Sequence, residues 1–431
     1  MNENQTAAND LTDIKRTKQR WVLARVLLLT LLVAYVDRVN VSVLVADPLF
    51  LNDMGIKGNP VAMGMLMSVF LMAYGISNVF LSPLGDYLGP RKAMCLSIFL
   101  WSVALCLGGI AGTFAVMLGA RLLLGVGEAM HWPMQSKFVK NWFPPGERGK
   151  ANSLWLFGLF IGPALAMPFF TWVIKSFGWR PSFFILAAIG LVPLLLIWKF
   201  TRDFPHELKS VNSAELEYIE NGMKAEREAE AQTGKVSVWD NIKLFISDYR
   251  FWLVTIYYAC NASIWWGSMA WLPSYLKVSR GFSWAEMGAL SSLPYILGMI
   301  SVLICGWWTD KVGRRAPFSA ASMLGAALFV YLGAHAPDNM TSAIFISLGI
   351  GSLGIGQPAN WSLLQQIVPG KAIGTGAGVM NGIANGAAAL APLIIGFLIS
   401  TTGSYIGGLM YLVFLGAVGC LGMLILVIQK Y

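Results

Sequence analysis

The sequence predicts an all-α integral membrane protein with twelve transmembrane helices in two six-helix bundles. Of its 431 residues, 56% are hydrophobic and only 12% are charged, whereas soluble domains carry about 25% charged residues to keep their surface solvated. Long apolar runs recur along the chain, and its 45 glycines and 17 tryptophans are typical of membrane helices and of their interfaces. Soluble enzymes, nucleic-acid-binding domains and disordered chains are therefore excluded.

Twelve apolar runs are long enough to cross the hydrocarbon core of a bilayer, which takes roughly 20 residues. A polar segment rich in Glu and Lys separates them into six and six, so we expect a first half at residues 1–201, a cytoplasmic linker at 202–247 and a second half at 248–431. Spans 1 to 6 are predicted near 21–45, 60–83, 93–112, 115–136, 151–174 and 182–200. Spans 7 to 12 are predicted near 250–276, 285–308, 317–335, 342–366, 372–399 and 404–428.

The loops at one end of the spans are basic, and they determine the predicted orientation. Lys and Arg cluster at the N-terminus, in the linker and in the loops after spans 2, 4 and 8. Because basic loops stay cytoplasmic, we expect a multi-pass protein of the cell inner (plasma) membrane with both termini cytoplasmic. We call this end of the molecule the basic end and the opposite end the far end. The net charge of +9 thus reports topology, and no nucleic-acid partner is expected.

The cysteines and histidines give no sign of a metal or disulfide site. The five cysteines lie in apolar stretches without paired spacing. Two of the three histidines, His206 and His335, lie in predicted loops, so a metal site is not expected. We expect no cofactor, protons as the coupling ion, and a monomer in the lipid bilayer.

Two internal echoes relate the halves. Asp86 after span 2 and Asp310 after span 8 each lie in a short basic segment, at an offset of 224 residues. In span 4 the residues Gly125–Glu128 read Gly-Val-Gly-Glu, and in span 10 the residues Gly354–Gln357 read Gly-Ile-Gly-Gln, at an offset of 229 residues. A two-fold repeat of six spans is typical of transporters whose substrate site lies between the halves near the membrane midplane.

At these residues the sequence resembles the major facilitator superfamily. Its pattern Gly-x-x-x-Asp-(Arg/Lys)-x-Gly-Arg-(Arg/Lys) is complete at Gly306–Arg315 and degraded around Asp86. Narrower motifs at Tyr35–Asn40, Arg121–Glu128 and Trp142–Arg148 resemble the anion:cation symporter family. That family includes bacterial carriers for phthalate and for sugar acids such as galactonate, and animal sialin. The resemblance implies a carrier that moves a small organic anion with protons by alternating access.

The resemblance also implies a gate at the basic end. In the superfamily the loop aspartate pairs with basic residues near a neighbouring helix end and holds one conformation. This implies gating roles for Asp86 and Arg91 after span 2, and for Asp310 and Arg314 after span 8. The alternative is that these charges serve only as topology signals.

Four ionisable residues lie well inside predicted spans, all in the first half: Asp37, Arg38, Arg121 and Glu128. Each costs at least roughly 2.5–3.5 kcal/mol to insert, which makes it a functional candidate. Arg38 is expected to clamp a substrate carboxylate, since its planar fork can bind both oxygens. Arg121 is expected to pair with Asp37 when the site is empty.

Glu128 is the predicted proton-coupling residue. Its low-dielectric surroundings favour the neutral carboxyl, so it could take up a proton and couple proton entry to anion entry, with Asp37 as a second carrier. The resemblance supports this assignment, because the matching span 1 Arg and span 4 Glu are the substrate anchor and the proton-coupling residue of that family. A purely structural salt-bridge network is the alternative, and His131 could either tune the relay or simply pack.

Aromatic and amide side chains are expected to complete the substrate pocket. Span 5 offers little polarity, which leaves a polyhydroxy acid in doubt and keeps a smaller or aromatic anion open. A metabolite antiporter and a non-transporting membrane sensor are the competing functions, whereas an enzyme is not expected. The candidate substrate-binding residues besides Arg38 and Arg121 are Tyr35, Tyr74, Trp265, Asn261, Asn360, Trp361, Asn381 and Asn385, and the wider set adds Trp155, Tyr257 and Trp266.

Overall fold

The computed structural model describes residues 16–81, 83–232, 242–369 and 372–431, and within these ranges it contains helices and no strand. Ten helical segments of the described chain are long and apolar enough to cross a membrane. Spans 1 and 7 are less apolar because of their charged and aromatic residues, but each is 26 residues long and therefore extends about 39 Å. The twelve-span fold class is thus confirmed.

Most spans are single helices, and three are broken near their middle. In the first half the unbroken spans 1, 2, 3 and 6 are Gln19–Leu44, Pro60–Leu81, Pro90–Ile110 and Trp179–Phe200. Span 4 consists of Phe114–Glu128 and His131–Trp142, and span 5 of Pro145–Leu156 and Gly158–Phe177. Two short helices, Pro48–Asp53 and Leu84–Leu88, precede and follow span 2.

The second half repeats the break of span 4 but not that of span 5. Span 10 consists of Asn339–Gly351 and Leu353–Ile367. Spans 7, 8, 9, 11 and 12 are Tyr249–Ser274, Trp284–Val312, Ala316–His335, Ile373–Thr402 and Tyr405–Ile428. In the predicted linker a 3₁₀ turn, Pro205–Glu207, precedes the helix Ser213–Gln232, and a π-helical turn, Tyr275–Ser279, follows span 7. The assignment of the linker and the two halves as separate domains stays a prediction.

Local sequence explains where spans begin. Proline stands at the first position of spans 2, 3 and 9 or next to it, where its missing N–H costs nothing. Span 10 begins after Asp338, whose side chain accepts a hydrogen bond from the N–H of Thr341. Span 8 begins with a capping box between Ser283 and Glu286. Such caps satisfy N–H groups that have no partner within the helix.

The two halves touch at the far end through reciprocal backbone contacts of spans 2 and 11. Each helix carries a proline followed four residues later by a glycine, Pro60 and Gly64 in span 2 and Pro392 and Gly396 in span 11. A Cβ on Gly64 would lie 2.4 Å from the carbonyl oxygen of Pro392, and a Cβ on Gly396 would lie 2.4 Å from that of Pro60. Only glycine permits this approach of two antiparallel helices. We call these four residues the Pro–Gly contact.

The same helices separate towards the basic end. Gly75 and Gly378 lie on the helix faces of Gly64 and Gly396, yet a Cβ on either would meet no described atom within 4 Å. Val79, one turn beyond Gly75, is 68% exposed. A cleft between the halves is therefore closed at the far end and open at the basic end.

Two further pairs of spans close the far end. Ser274 of span 7 donates a hydrogen bond to the carbonyl oxygen of Val45, just after span 1, at 3.5 Å. Gly288 of span 8 lies against Thr171 of span 5, whose Oγ1 would be 2.8 Å from an added Cβ. Spans 1 and 7 and spans 5 and 8 thus join spans 2 and 11 in sealing that end.

The linker helix is attached to the first half by buried charges. Arg20 at the start of span 1 places Nη1 2.8 Å from Oε1 of Glu215 in the linker helix, and its Nε lies 2.8 Å from Oε2 of Glu147 in span 5. The Glu215 side chain is completely buried and also accepts a hydrogen bond from the hydroxyl of Thr17 at 2.6 Å. One arginine thus ties together span 1, span 5 and the linker helix.

Candidate functional site

An ion pair between Arg38 of span 1 and Glu128 of span 4 lies in the interior of the first half. Arg38 Nε donates to Glu128 Oε2 at 2.7 Å, and Nη2 lies 2.6 Å from the same oxygen. Arg38 is 2% exposed and Glu128 is fully buried. The second oxygen, Oε1, has no hydrogen-bond partner among the described residues. Both contacts of the ion pair are therefore made by one carboxylate oxygen, Oε2.

Four aromatic rings surround the Arg38 guanidinium, and we call them the aromatic cage. Its carbon Cζ lies 4.6 Å from the ring centre of Tyr35, 5.0 Å from Tyr74, 5.4 Å from Trp266 and 5.5 Å from Phe70. Rings at this range attract the cation through their electron-rich faces, most strongly where water is absent. Trp266 belongs to span 7 and stacks on Tyr35 at 6.1 Å. The second half therefore contributes one wall of the cage.

The break in span 4 and its glycines position Glu128. The first helix of the span ends at Glu128 and the second begins at His131. A Cβ on Gly125 would lie 2.5 Å from the carbonyl oxygen of Phe70 in span 2, and one on Gly127 would lie 2.8 Å from the backbone nitrogen of Trp101 in span 3. Span 4 thus packs directly on two neighbouring backbones and holds Glu128 beside Arg38.

Asp37 and Arg121 do not form the predicted pair in this conformation. Arg121 Nε donates to the carbonyl oxygen of Leu66 at 3.0 Å, and its guanidinium lies 4.8 Å from the ring centre of Phe70. Neither carboxylate oxygen of Asp37, nor Nη1 of Arg121, has a hydrogen-bond partner in the part of the chain that the structure describes. Arg38 binds Glu128 and Arg121 binds the backbone of span 2, so neither arginine forms a hydrogen bond with Asp37.

His131 lies in the packed interior of the first half. It is 1% exposed, its Nε2 lies 3.1 Å from Nε2 of Gln135, and its ring meets that of Trp101 edge-on at 5.6 Å. Gln135 in turn donates to the carbonyl oxygen of Leu27 at 3.2 Å. These contacts account for the burial of His131 by packing.

Several predicted pocket residues of the second half contact other polar or aromatic side chains. Gln357 Nε2 donates to Asn261 Oδ1 at 3.1 Å. Trp361 meets Tyr258 edge-on at 5.5 Å, and Trp265 meets Phe160 of the first half at 5.6 Å.

Three predicted amides have neighbours within the second half. Asn360 is fully buried and directs Nδ2 to the sulfur of Met380 at 3.7 Å. Asn385 donates to the carbonyl oxygen of Asn381 within span 11 at 2.9 Å. Asn381 lies in the exposed part of that span, towards the basic end.

The predicted gate is described in part. The side chains of Asp86 and Asp310 lie outside the described part of the structure. The backbone N–H of Arg91 donates to Asp203 at 2.7 Å, and its guanidinium lies 4.3 Å from the ring centre of Trp198. Arg314 donates to the carbonyl oxygen of Val427 at 2.7 Å. Both arginines thus bind helix ends within their own half, and the latch stays a prediction.

Sequence reasoning missed two residues of this region. Phe70 lies beneath both buried arginines but looks like any aromatic residue of an apolar helix. Gln357 entered only as the counterpart of Glu128 in the repeat, because an uncharged side chain costs little to bury and gives no signal of its own. The repeat itself was the signal that could have selected Gln357.

Known proteins resemble this chain along nearly its whole length. A family model described as Major Facilitator Superfamily matches residues 27–392 and 299–430. A probable sulfoacetate transporter of Cupriavidus necator is 31% identical over 400 residues, which cover 91% of this chain and 90% of that protein. A probable galactarate/D-glucarate transporter of Bacillus subtilis is 30% identical, with 94% and 90% covered. The D-galactonate transporter of an Escherichia coli strain is 26% identical, with 96% of each covered.

Solved structures share the fold. The crystal structure of a bacterial homolog to the human lysosomal transporter Spinster, in an inward-facing and unoccupied conformation, matches with a TM-score of 0.77 and 17% identity. The match covers 97% of this chain and 99% of that one. An inward-facing, occupied structure of a Spinster homolog matches with a TM-score of 0.74.

Proposed function

Because the chain belongs to the Major Facilitator Superfamily, we propose that it is a secondary active transporter that carries a small organic anion into the cell together with protons. Membership and fold confirm a multi-pass membrane transporter and not an enzyme. The names of the relatives support an acid as substrate, since they include sulfoacetate, galactarate and galactonate transporters. The basic loops support the bacterial inner membrane with both termini in the cytoplasm.

The Arg38–Glu128 pair is the observation that carries the proposal. A buried guanidinium needs an anionic partner, since leaving one member of a buried pair alone costs about 3–5 kcal/mol. Protonation of Glu128 removes that partner and leaves Arg38, inside the aromatic cage, to bind a substrate carboxylate. Substrate and proton are therefore taken up together, because anion binding is favourable chiefly when Glu128 is neutral.

Release follows from the same competition. When the cleft opens to the cytoplasm, Glu128 loses its proton, pairs again with Arg38 and displaces the substrate carboxylate. The open basic end and the formed ion pair correspond to the state after release. Asp37, which is fully buried, is the second proton carrier of the proposal. Arg121, whose guanidinium lies over the Phe70 ring, is a second positive charge in the same interior.

Two alternatives remain distinguishable from this symport. A metabolite antiporter would exchange two solutes without a proton gradient, and a sensor would bind an anion without moving it. Buried arginines disfavour a cationic cargo, since like charges repel.

Solid-supported-membrane currents from proteoliposomes test the proposal directly. D-galactonate, galactarate, D-glucarate and sulfoacetate are applied under an inward proton gradient to wild type, Glu128→Gln and Arg38→Ala, and binding is measured separately by calorimetry. Glu220→Gln, on the exposed side of the linker helix, is the matched control. We expect wild type and the control to transport, Glu128→Gln to bind without proton-driven transport, and Arg38→Ala to lose binding.

Three outcomes would contradict the proposal. Proton-driven transport that survives Glu128→Gln would move coupling away from this residue. Normal binding by Arg38→Ala would remove the carboxylate anchor. Binding in wild type with neither current nor uptake of a radiolabelled anion would favour a sensor.

A further inference from the structure

The internal repeat gives Tyr35, Arg38 and Glu128 of the first half counterparts in the second half. Tyr35 and Arg38 in span 1 match Tyr258 and Asn261 in span 7, with the same spacing of three and an offset of 223 residues. This is within one residue of the offset between the two loop motifs. Glu128 in span 4 matches Gln357 in span 10, as the sequence already indicated.

The same two positions of the repeat are bonded to each other in both halves. In the first half Arg38 Nη2 lies 2.6 Å from Glu128 Oε2. In the second half Gln357 Nε2 donates to Asn261 Oδ1 at 3.1 Å. The bond is ionic in one half and neutral in the other. We call Arg38 with Glu128 the charged pole, and Asn261 with Gln357 the neutral pole.

The neutral pole lies near the depth of the aromatic cage, one turn of span 7 after Tyr258, whose ring meets that of Trp361. Asn261 stands at the middle of span 7 (Tyr249–Ser274), five residues before Trp266 of the aromatic cage. Asn261 is 2% exposed, whereas Gln357 is only half-buried. The side-chain amide of Gln357 has two N–H donors and one carbonyl acceptor, and Asn261 accepts a hydrogen bond from only one of these donors. The Gln357 amide therefore has a donor and an acceptor left for a ligand.

The surroundings of the neutral pole exclude a second anionic group. Among the described residues of the second half, no Asp, Glu, Lys or Arg is buried. A carboxylate placed there would lose its hydration without gaining a cation, which is costly. A hydroxyl or a carbonyl would exchange hydrogen bonds with water for hydrogen bonds with an amide. The neutral pole thus discriminates by charge as well as by hydrogen bonding.

We propose that Gln357, held by Asn261, binds a neutral hydrogen-bonding group of the substrate and makes the transporter selective for hydroxylated or oxo monocarboxylates over dicarboxylates. The proposal rests on the proposed function, which assigns the carboxylate of that substrate to Arg38. Asn261 is the positioning residue, because it acts by fixing the amide of Gln357.

Calorimetric binding of two matched acid series tests the proposal. Glycerate, propionate and malonate share three carbons, and gluconate, hexanoate and glucarate share six. In at least one series we expect wild type to bind the hydroxylated monocarboxylate about tenfold more tightly than the other two, the effect of one unmade hydrogen bond. Gln357→Leu should lose this preference, and Gln365→Leu, exposed on the same span, should keep it.

A second variant guards against a merely structural role. Gln357→Glu keeps the shape of the side chain, and we expect its negative charge to weaken binding of the hydroxylated acid about tenfold relative to wild type at pH 8, and less at pH 5, where the carboxyl takes up a proton; a merely structural role would not depend on pH in this way. Wild-type selectivity in Gln357→Leu, equal binding by wild type of the hydroxylated monocarboxylate and its dicarboxylate in both series, or binding of none of the six acids would overturn the proposal. Arg38→Ala separates the two claims, since intact binding there would refute the proposed function instead.

Discussion

Phe70 lies beneath two buried positive charges, those of Arg38 and Arg121. Its ring centre is 4.8 Å from the guanidinium carbon of Arg121 and 5.5 Å from that of Arg38, and its side chain is fully buried. The ring keeps two like charges apart and offers its electron-rich face to both. Packing and electrostatics therefore coincide in one residue.

We expect Phe70→Leu to destabilise the protein by about 2 kcal/mol, through lost packing and lost cation–π attraction. The thermal unfolding midpoint in detergent measures the effect. Phe80→Leu on the same span is the control, because Phe80 is 75% exposed. Equal midpoints for the two variants would contradict a special role of the Phe70 ring.

At this scale the sequence predicted which charges are buried but not how they pair. Asp37, Arg38, Arg121 and Glu128 stand out in apolar runs, and all four are buried. Their partners depend on the rotation of each helix about its axis and on the conformation of the long side chains, and neither can be predicted from a single sequence. The Arg121–Asp37 pair was therefore wrong for this conformation, and the functional roles of the four residues stay predictions.

Among the elements, spans 2 and 11 carry the closest approach between the halves. Their Pro–Gly contact lets two backbones meet at the far end, while the same helix faces separate at the basic end. The lack of a side chain at Gly64 and Gly396 thus allows the far end to close this tightly. The sequence showed both glycines, but their pairing depends on the antiparallel crossing of the two helices, which only the fold defines.

We expect Gly64→Ala to shift the protein about tenfold away from the state closed at the far end, because overpacking costs about 1–3 kcal/mol. Spin labels at Lys57, just before span 2, and at Thr402, at the end of span 11, report the change. The distance between the two labels, measured by double electron–electron resonance, should become longer. Gly378→Ala is the control, since its Cβ would meet no described atom within 4 Å. Identical distance distributions in the two variants would refute the prediction.

The linker helix gives a second prediction about an element. Glu215 is buried between Arg20 and Thr17, so Glu215→Ala should lower the free energy of unfolding by about 2 kcal/mol, less than the loss of a whole buried pair because Glu147 still binds Arg20. Glu220→Ala, exposed on the same helix, should change little. Thermal unfolding in detergent compares them, and the prediction fails if both variants match wild type.

For the whole molecule, alternating access requires the far end to open. Ser274 and Val45 join spans 7 and 1 across that end, so we expect the double variant Val45→Cys and Ser274→Cys, made in a chain without its native cysteines, to stop transport once a short cross-linker joins the thiols. Reduction of a cleavable cross-linker should restore the current. Each single variant is a control, and undiminished transport in the cross-linked protein would contradict the opening of the far end during transport.

The twelve-span architecture was predictable because apolar runs, basic loops and a two-fold repeat are all properties of the sequence. The state of the cleft was not, because it depends on contacts between the two halves that apolar runs and basic loops do not indicate. Breaks in spans 4 and 10 lie beside glycine pairs visible in the sequence, yet their exact residues depend on packing against neighbouring helices.

Trp266 has a consequence for observing the protein at work. It belongs to the second half but stacks on Tyr35 and faces Arg38 of the first half, so opening of the far end would remove its indole from a positive charge and an aromatic neighbour. Indole emission responds to both, and the difference between the spectra of wild type and Trp266→Phe would therefore isolate the contribution of this residue. The transport cycle thus has an optical signal at its centre, without an attached dye.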